Sequence, residues 1–211
     1  MTIMLDLYTW NTPNGHKGRI AVEESGLPYN LYPVNLPASE NVTERYRAIS
    51  ASRRIPTLVD SDGPGGRPIT LIESGVILVY LAKKTGNGMY PTDLLDQLEV
   101  DQWSLHGQAT FGPGLTPIGH LENRIQGDNA GAKVFFRGRA ERLYETLNLR
   151  LEGHSYIALE RYTVADVAHF TWVNRHADQK IDLARYPNVK RWYETILARP
   201  AVQRGIAVVG A

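Results

Sequence analysis

The first third of the chain alternates between short apolar runs of strand character and amphipathic runs with helical spacing. Residues 4–9 (MLDLYT) predict a buried strand, and residues 15–26 predict a helix that ends at Gly26. Residues 29–35 alternate as a strand does, and Pro33 favours an edge position for it. The same criteria predict strands at 55–60 and 68–72, a turn at 61–66, and helices at 41–49 and 73–86.

The remainder of the chain has no comparable strand pattern. Apolar positions at helical spacing predict helices at 94–110, 132–152, 163–176 and 186–198, the last ended by Pro200. The segment 111–131 is expected to be loop-like in part, because its first nine residues contain Gly112, Pro113, Gly114, Pro117 and Gly119.

These elements predict two domains. The first third has the order βαβ followed by ββα, with Pro56 opening the third strand, which is a thioredoxin-like arrangement. We therefore expect an α/β thioredoxin-like domain over residues 1–86, a linker at 87–93, and an all-α domain over 94–211.

The amino-acid composition excludes or disfavours several kinds of site and partner. The chain has 211 residues, a net charge of +1 and no cysteine, which excludes disulfides, thiolate metal sites and a cysteine nucleophile. Its six histidines form no zinc signature, so no metal is expected. The near-zero charge disfavours nucleic acid as a partner. The absence of a long apolar run and of a signal-peptide pattern disfavours a membrane and favours the cytoplasm.

The stretch TWNTPNGHKGRI (9–20) lies between the first strand and the first helix. Thr12 offers a hydroxyl and Asn14 offers amide N–H groups, while Pro13 restricts the backbone and Gly15 permits close approach or positive φ. On these residues alone, a helix cap and a turn are the ordinary explanation. The alternative is a site that holds a polar or anionic group at the helix N-terminus.

An ordered set of segments resembles the glutathione transferase family over essentially the whole chain. The T-P-N-G sequence is similar to that of the nu class, close to the bacterial disulfide-reductase-type transferases and the nitrogen-regulator-like branch. The matching segments are LYTWNTPNGHK (7–17), RRIPTLVD (53–60), ESGVILVYL (73–81), RLYETLNLRLE (142–152), YTVADVAHFTWVN (162–174) and IDLARYPNVKRWYETILARPAV (181–202).

The resemblance implies the cytosolic glutathione transferase fold, with glutathione bound by the first domain. Thr12 and Asn14 would then donate hydrogen bonds to the glutathione sulfur, which favours the thiolate form. Some classes use a tyrosine at the end of the first strand instead, which makes Tyr8 a rival donor, although we expect it to pack. Classes that use a cysteine in this loop are excluded.

The resemblance also implies the remaining glutathione contacts. The backbone of Ile55, before Pro56, would pair with the cysteinyl part of glutathione, although most X-Pro bonds are trans. Arg54 would attract a carboxylate, or would be an ordinary solvated arginine. Glu73 and Ser74 would bind the γ-glutamyl ammonium and carboxylate, or would simply cap the third helix. Asn41 aligns with a family glutamine that contacts the ligand.

Several positions depart from the family pattern. Ser52, Arg53 and Arg54 replace a family Asn-Asn-Lys, and a family arginine aligns with Phe135, with Arg137 and Arg139 nearby. Candidates for the wall of the second-substrate site are His106, Phe111, His120 and Arg124. Thr163 to Asp166 has capping-box spacing, and the predicted core includes Phe170, Trp172, Tyr186 and Trp192.

The expected activity is glutathione:disulfide oxidoreduction, with conjugation to electrophiles and peroxide reduction as further reactions of the family. Reduced or oxidised glutathione would serve as cosubstrate. Because the protein lacks a thiol, two glutathione molecules would act in sequence. A glutathione-binding regulatory protein with the same fold is the alternative, and a purely structural domain is a third. The family also implies a homodimer in which the first domain packs on the helical domain of the partner.

Overall fold

A computed structural model describes residues 5–210 in two compact units. One unit runs from the start of the described range to Tyr90 and resumes at Arg199, and the other is Pro91–Ala198. Within the described range, no helix is both long enough and apolar enough to cross a membrane.

The first unit is built on a four-stranded mixed sheet. Strand β1 (Leu5–Thr9) is central, because it pairs in parallel with β2 (Tyr29–Pro33) and antiparallel with β3 (Thr57–Asp60). Strand β4 (Ile69–Ile72) pairs antiparallel with β3, which gives the order β2-β1-β3-β4. Alternate residues of β1 are buried, as the period of a strand requires. This sheet order confirms the thioredoxin-like arrangement.

Three helices follow the strands of this unit. Helix α1 (Pro13–Ser25) connects β1 to β2 and packs against α3 (Ser74–Thr85). A short helix, α2 (Glu44–Arg47), lies in the connection from β2 to β3. Both α1 and α3 end at a glycine in the left-handed conformation, Gly26 and Gly86, as their sequences predict.

The second unit is helical. Helix α4 (Leu94–Leu105) continues into a π-helical segment at His106–Phe111, and the core is formed mainly by the apolar faces of the helices that follow. These are α5 (Gly112–Asn123), α6 (Ala130–Arg150), α7 (Val164–Val173) and α8 (Pro187–Leu197).

The expectation of a partly loop-like segment at 111–131 is wrong for residues 112–123. Helix α5 follows the π-helical segment without a break, and it contains both Pro113 and Pro117. Its glycines permit close packing. A Cβ on Gly112 would lie 2.4 Å from Nε1 of Trp172, and one on Gly114 would lie 2.5 Å from Cδ1 of Leu143.

The all-α domain was expected to extend over 94–211, but the residues from Arg199 onward cluster with the first unit. Helix α9 (Pro200–Ile206), which the sequence analysis missed, packs on α1. Gly205 allows this, because a Cβ there would lie 2.6 Å from Cγ1 of Ile20. Arg199 binds both carboxylate oxygens of Glu24, at 2.9 and 3.1 Å.

The capping box predicted at Thr163 is present, and it anchors α7 in the core of the helical unit. The carboxylate of Asp166 is fully buried and accepts hydrogen bonds from the backbone N–H groups of Thr163 and Ile157 and from Nε1 of Trp192. Phe170, Tyr186 and Trp192 are buried as predicted, whereas Trp172 is partly exposed.

Candidate functional site

Thr12 is the N-cap of α1. Its backbone is extended, and its Oγ1 accepts a hydrogen bond from the Gly15 N–H at 3.1 Å. Capping therefore occurs, as the ordinary explanation held. A hydroxyl that accepts through a lone pair still has its hydrogen to donate. That hydrogen has no acceptor within residues 5–210, so Thr12 can cap the helix and donate to a ligand at the same time.

Glycine is required at position 15 because the backbone of Trp10 passes close to it, and not because of a positive φ. A Cβ at this position would lie 2.0 Å from the carbonyl oxygen of Trp10. Its carbonyl also accepts a hydrogen bond from Thr9 Oγ1 at 3.1 Å. The loop between β1 and α1 is therefore folded tightly against the first turn of the helix, which fixes the position of Thr12.

Asn14 is exposed in the first turn of α1, and its Oδ1 accepts a hydrogen bond from Nζ of Lys17 at 3.1 Å. Lys17 is fully buried. Burial lowers the pKa of Lys17 to about 7, and the negative charge of Glu73 opposes that shift. The sequence analysis did not select Lys17. Its spacing of three residues from Asn14 is the only signal that could have done so.

Tyr8 packs as expected. Its ring stacks on that of Tyr32 with centroids 4.8 Å apart and lies 6.1 Å from that of Tyr46. Burial and nearby Asp6 raise the pKa of Tyr8, so its hydroxyl is neutral at physiological pH.

The segment before β3 exposes backbone hydrogen-bonding groups. The Ile55-Pro56 peptide is cis, against the usual preference for trans. Ile55 is half-buried, and its N–H and C=O bind no other residue of the described range. The preceding carbonyl, that of Arg54, is held by the hydroxyl of Tyr46 at 2.8 Å. Gly18 of α1 lies against Pro56, where a Cβ would come within 2.8 Å of the proline Cβ.

Glu73 and Ser74 stand at the start of α3. Glu73 has a positive φ of 69°, which is strained for a residue other than glycine, and its side chain makes no capping hydrogen bond. This carboxylate therefore does not cap α3 through a hydrogen bond. Ser74 is the first residue of the helix and is buried. The exposed carboxylate of Glu73 remains available to a cation.

Asn41 contacts the loop that precedes the cis-proline, and Arg54 belongs to that loop. Asn41 donates from Nδ2 to the carbonyl of Arg53 at 3.0 Å, so its amide holds this loop. Arg54 is exposed, and in the described part of the chain its guanidinium forms no ion pair. The geometry is therefore compatible with either expectation for Arg54.

The C-terminal residues are bound to the loop that precedes Thr12. Asn11 donates from Nδ2 to the carbonyl of Val209 at 2.8 Å, and its Oδ1 accepts from the N–H of Val209 at 3.1 Å. Buried Arg19 of α1 donates to the carbonyl of Ala207. Residues 207–209 thus form part of the support of this loop, which local sequence patterns did not reveal.

The candidates for a second-substrate wall differ in accessibility. Phe111 is fully buried against Tyr144 and His169, so it belongs to the core of the helical unit and that expectation is corrected. His106 is partly exposed, and its Nδ1 lies 2.9 Å from Nε2 of His169. Burial lowers the pKa of His106, which favours the neutral ring. His120 and Arg124 are exposed.

Phe135 is 63% exposed. Of the two arginines near it in sequence, Arg137 already binds other residues of the helical unit. Arg137 forms an ion pair with Glu122 and donates to the carbonyl of Lys180 at 3.1 Å. Arg139 is exposed and has no ion-pair partner among the described residues. Arg139 is therefore the better candidate to replace the family arginine.

Three predicted binding segments are connected through α1. Asn14 is bound by Lys17, Lys17 is under the electrostatic influence of Glu73, and Gly18 lies against Pro56. The first turn of α1 thus offers hydroxyl and amide donors, with an anionic group and unpaired backbone groups on neighbouring segments. Residues 5–210 hold no cluster of three metal-ligating side chains.

Comparisons with known proteins identify relatives over nearly the whole chain. Residues 12–84 match the family model described as glutathione S-transferase, N-terminal domain, and residues 132–200 match that of the C-terminal domain. The chain is 38% identical over 204 residues to the disulfide-bond oxidoreductase YfcG of Escherichia coli K12, covering 96% of this chain and 94% of the relative.

Two solved structures are similar in both fold and sequence. A glutathione transferase family member from Pseudomonas fluorescens, with two glutathione bound, shares 34% identity at a TM-score of 0.89, covering 96% of this chain and 92% of that one. A glutathione transferase from Pseudomonas putida, with one glutathione disulfide bound per subunit, shares 31% identity at a TM-score of 0.92, covering 98% and 92%.

Proposed function

Because the chain belongs to the glutathione S-transferase family, we propose that it is a glutathione:disulfide oxidoreductase of the nu-class type. The observation that carries this proposal is the first turn of α1. It offers the Thr12 hydroxyl and the Asn14 amide as donors in a chain that contains no cysteine. Such a turn can stabilise a thiolate that a ligand supplies, but it has no sulfur of its own to react.

The relatives support both the ligand and the reaction. YfcG is named a disulfide-bond oxidoreductase, and the two similar structures hold either two glutathione molecules or one glutathione disulfide. Two thiols, or the disulfide that joins them, are what a protein without cysteine requires for disulfide reduction.

The reaction proceeds in two balanced exchanges. A glutathione thiolate, held by Thr12 and Asn14, attacks one sulfur of the substrate disulfide. A mixed disulfide forms and one substrate thiolate leaves, taking up a proton from water. A second glutathione thiolate attacks the glutathione sulfur of the mixed disulfide. Glutathione disulfide forms and the second substrate thiolate leaves, so two glutathiones are oxidised for each disulfide reduced.

The rest of glutathione fits the neighbouring segments. The N–H and C=O of Ile55 pair with the cysteinyl backbone as an added strand. Glu73 accepts from the γ-glutamyl ammonium, and Ser74 binds the γ-glutamyl carboxylate at the start of α3. Arg54 attracts the remaining carboxylate, and Asn41 supports this contact by holding the loop.

The protein acts as a homodimer in this proposal. Helix α4 carries Leu94, Leu98 and Leu105 on one face, and each is more than half exposed (66, 58 and 64%). Exposed apolar side chains aligned along a helix are typical of an association surface.

Turnover of a small hydroxyalkyl disulfide with glutathione tests the activity. The wild type is expected to turn over, and Thr12→Ala and Asn14→Ala are each expected to lose tenfold or more, about 1.4 kcal/mol in the barrier. Thr195→Ala, which removes an exposed helical hydroxyl of the other unit, is the control and should match the wild type. A wild type that binds glutathione without turnover would overturn the oxidoreductase assignment and favour the regulatory alternative.

A further inference from the structure

Lys17 is buried in a way that packing alone does not explain. Its side chain has no exposed surface. Lysine is almost never fully buried unless its ammonium has a partner, because transfer of a charge out of water is costly. A methionine would fill the same volume of α1 without that cost. The burial therefore points to a task for the ammonium.

One partner of that ammonium is the amide of Asn14. Side chains on a helix lean toward its N-terminus, so a lysine three residues after Asn14 returns its Nζ to the first turn. The resulting Nζ to Oδ1 distance is 3.1 Å. In its protonated form, which Glu73 favours, the lysine has three donors and no acceptor, so the amide atom that faces it is the oxygen.

This contact decides which side of the amide faces solvent. With Oδ1 turned to Lys17, Nδ2 and its two N–H donors point away from the lysine, and they have no acceptor within residues 5–210. An amide without such a partner rotates between two orientations of similar energy. One of these would place the partially negative oxygen beside the sulfur, where it would disfavour a thiolate.

We propose that Lys17 is a positioning residue for the sulfur site, which holds the Asn14 amide with its oxygen inward and its N–H donors toward the glutathione sulfur. The inference rests on the proposed function. Burial disfavours the charged amine, whereas Glu73 and a bound thiolate are anions that favour it. Ligand binding thus strengthens the contact that orients the amide.

The test uses the purified full chain with glutathione alone. The pKa of the bound thiol is measured from the ultraviolet absorbance of the thiolate during a pH titration, and kcat and KM are measured with the hydroxyalkyl disulfide. Lys17→Met is expected to raise the pKa of the bound thiol and to lower kcat by tenfold or more. The KM for glutathione is expected to change less than threefold. Lys17→Arg, which keeps the charge, should recover part of kcat.

A double-mutant cycle separates positioning from general stabilisation. If Lys17 acts through Asn14, Lys17→Met should lower kcat by less than about twofold in the Asn14→Ala background. Lys84→Met is the control, since it removes the ion pair of a partly exposed lysine with buried Asp60 in the same unit and should leave the thiol pKa unchanged. If Lys17→Met does not fold, Lys17→Gln and Lys17→Arg provide the same comparison.

Three results would overturn the inference. The first is an unchanged thiol pKa and kcat in Lys17→Met. The second is an equal loss of kcat from Lys17→Met in the wild-type and the Asn14→Ala backgrounds. The third is a wild type that does not bind glutathione in calorimetry, which would also overturn the proposed function. If the wild type binds glutathione but Lys17→Met changes neither the thiol pKa nor kcat, this inference is wrong and the proposed function stands.

Discussion

Capping and the proposed donation to sulfur are separable at Thr12, because its oxygen accepts from Gly15 while its hydrogen remains to be donated. Thr12→Asp should keep the cap, since aspartate is a good N-cap residue, but it has no hydrogen to donate and would repel a thiolate. We expect unfolding free energy within about 0.5 kcal/mol of wild type and turnover reduced by about a hundredfold or more. Thr12→Ser should retain both properties.

Urea unfolding and disulfide turnover, measured on the same preparations, check this prediction. Thr12→Ala is the comparison that loses the cap as well, at a cost of about 1 kcal/mol. If Thr12→Asp turned over like the wild type, Thr12 would be a cap and nothing more.

Lys17 gives the free energy of unfolding a specific pH dependence. Burial lowers its pKa from 10.5 to about 7 in the folded protein. Between these values the unfolded chain holds a proton that the folded chain does not, so the contribution of Lys17 to stability rises with pH. From pH 7 to about pH 9 this rise amounts to about 2 kcal/mol. Below pH 7 the contribution levels off, because both states are protonated.

Urea unfolding of the wild type and Lys17→Met at several pH values measures this contribution. The variant should be more stable than the wild type near pH 7, and its advantage should decrease as the pH rises. A difference between the two proteins that does not change with pH would mean that Lys17 keeps an ordinary pKa.

At the scale of single residues, local patterns predicted the cap at Thr12 and the capping box at Asp166, because both depend on neighbours three residues away. The role of Lys17 could not be predicted in the same way. A lysine in a helix ordinarily faces solvent. Its burial depends on how α1 packs in the folded unit, which sequence spacing does not specify.

At the scale of elements, the approach of α1 to the cis-proline segment depends on Gly18. A Cβ at this position would lie 2.8 Å from Cβ of Pro56 and 3.3 Å from Cδ1 of Leu7. We therefore expect Gly18→Ala to reduce the free energy of unfolding by about 1–3 kcal/mol through overpacking. It should also raise the KM for glutathione, because Ile55 is displaced with its neighbour.

Gly138→Ala is the matched control for this prediction. Gly138 lies inside α6, where a Cβ would meet only Nη1 of Arg142, at 3.6 Å. Removal of a glycine from a helix interior should stabilise the protein by about 0.5–1 kcal/mol. Equal stability changes of the same sign in the two variants would show that helix propensity, and not the contact with Pro56, governs position 18.

The elements that sequence analysis missed are those whose local signals conflict with their packing. Helix α5 has prolines and glycines that favour a loop, yet Gly112 and Gly114 are the residues that admit Trp172 and Leu143. Helix α9 begins after Arg199 with Pro200, a residue that by sequence alone indicates only the end of α8. Strand β1 and helix α8 were predictable because their apolar periodicity agrees with their burial, whereas the leucines whose spacing predicts α4 are exposed.

At the scale of the whole molecule, the return of α9 to the first unit was not predictable from domain order. It depends on contacts between residues far apart in sequence, such as Arg199 with Glu24 and Asn11 with Val209. The expected boundary after the first 86 residues needed no such information, because the strand pattern stops there. The unit boundary at Tyr90 lies inside the predicted linker.

Association of two chains is the last property that belongs to this scale. The exposed leucines of α4 are costly in a monomer, since each leaves apolar surface in water. Light scattering of the wild type should give twice the mass of the chain. Leu98→Glu places a charge at the centre of the α4 stripe, and it should shift the protein to monomer at micromolar concentration.

Leu149→Glu is the control, because Leu149 is 69% exposed on α6, outside the α4 stripe, and its replacement should leave the dimer intact. Glutathione binding by the Leu98→Glu monomer, measured by calorimetry, then shows whether one chain holds a complete glutathione site. The contacts of Thr12, Asn14, Ile55 and Glu73 all lie within one unit of one chain, so we expect binding to persist. A monomeric wild type would contradict the assignment of the α4 stripe to association.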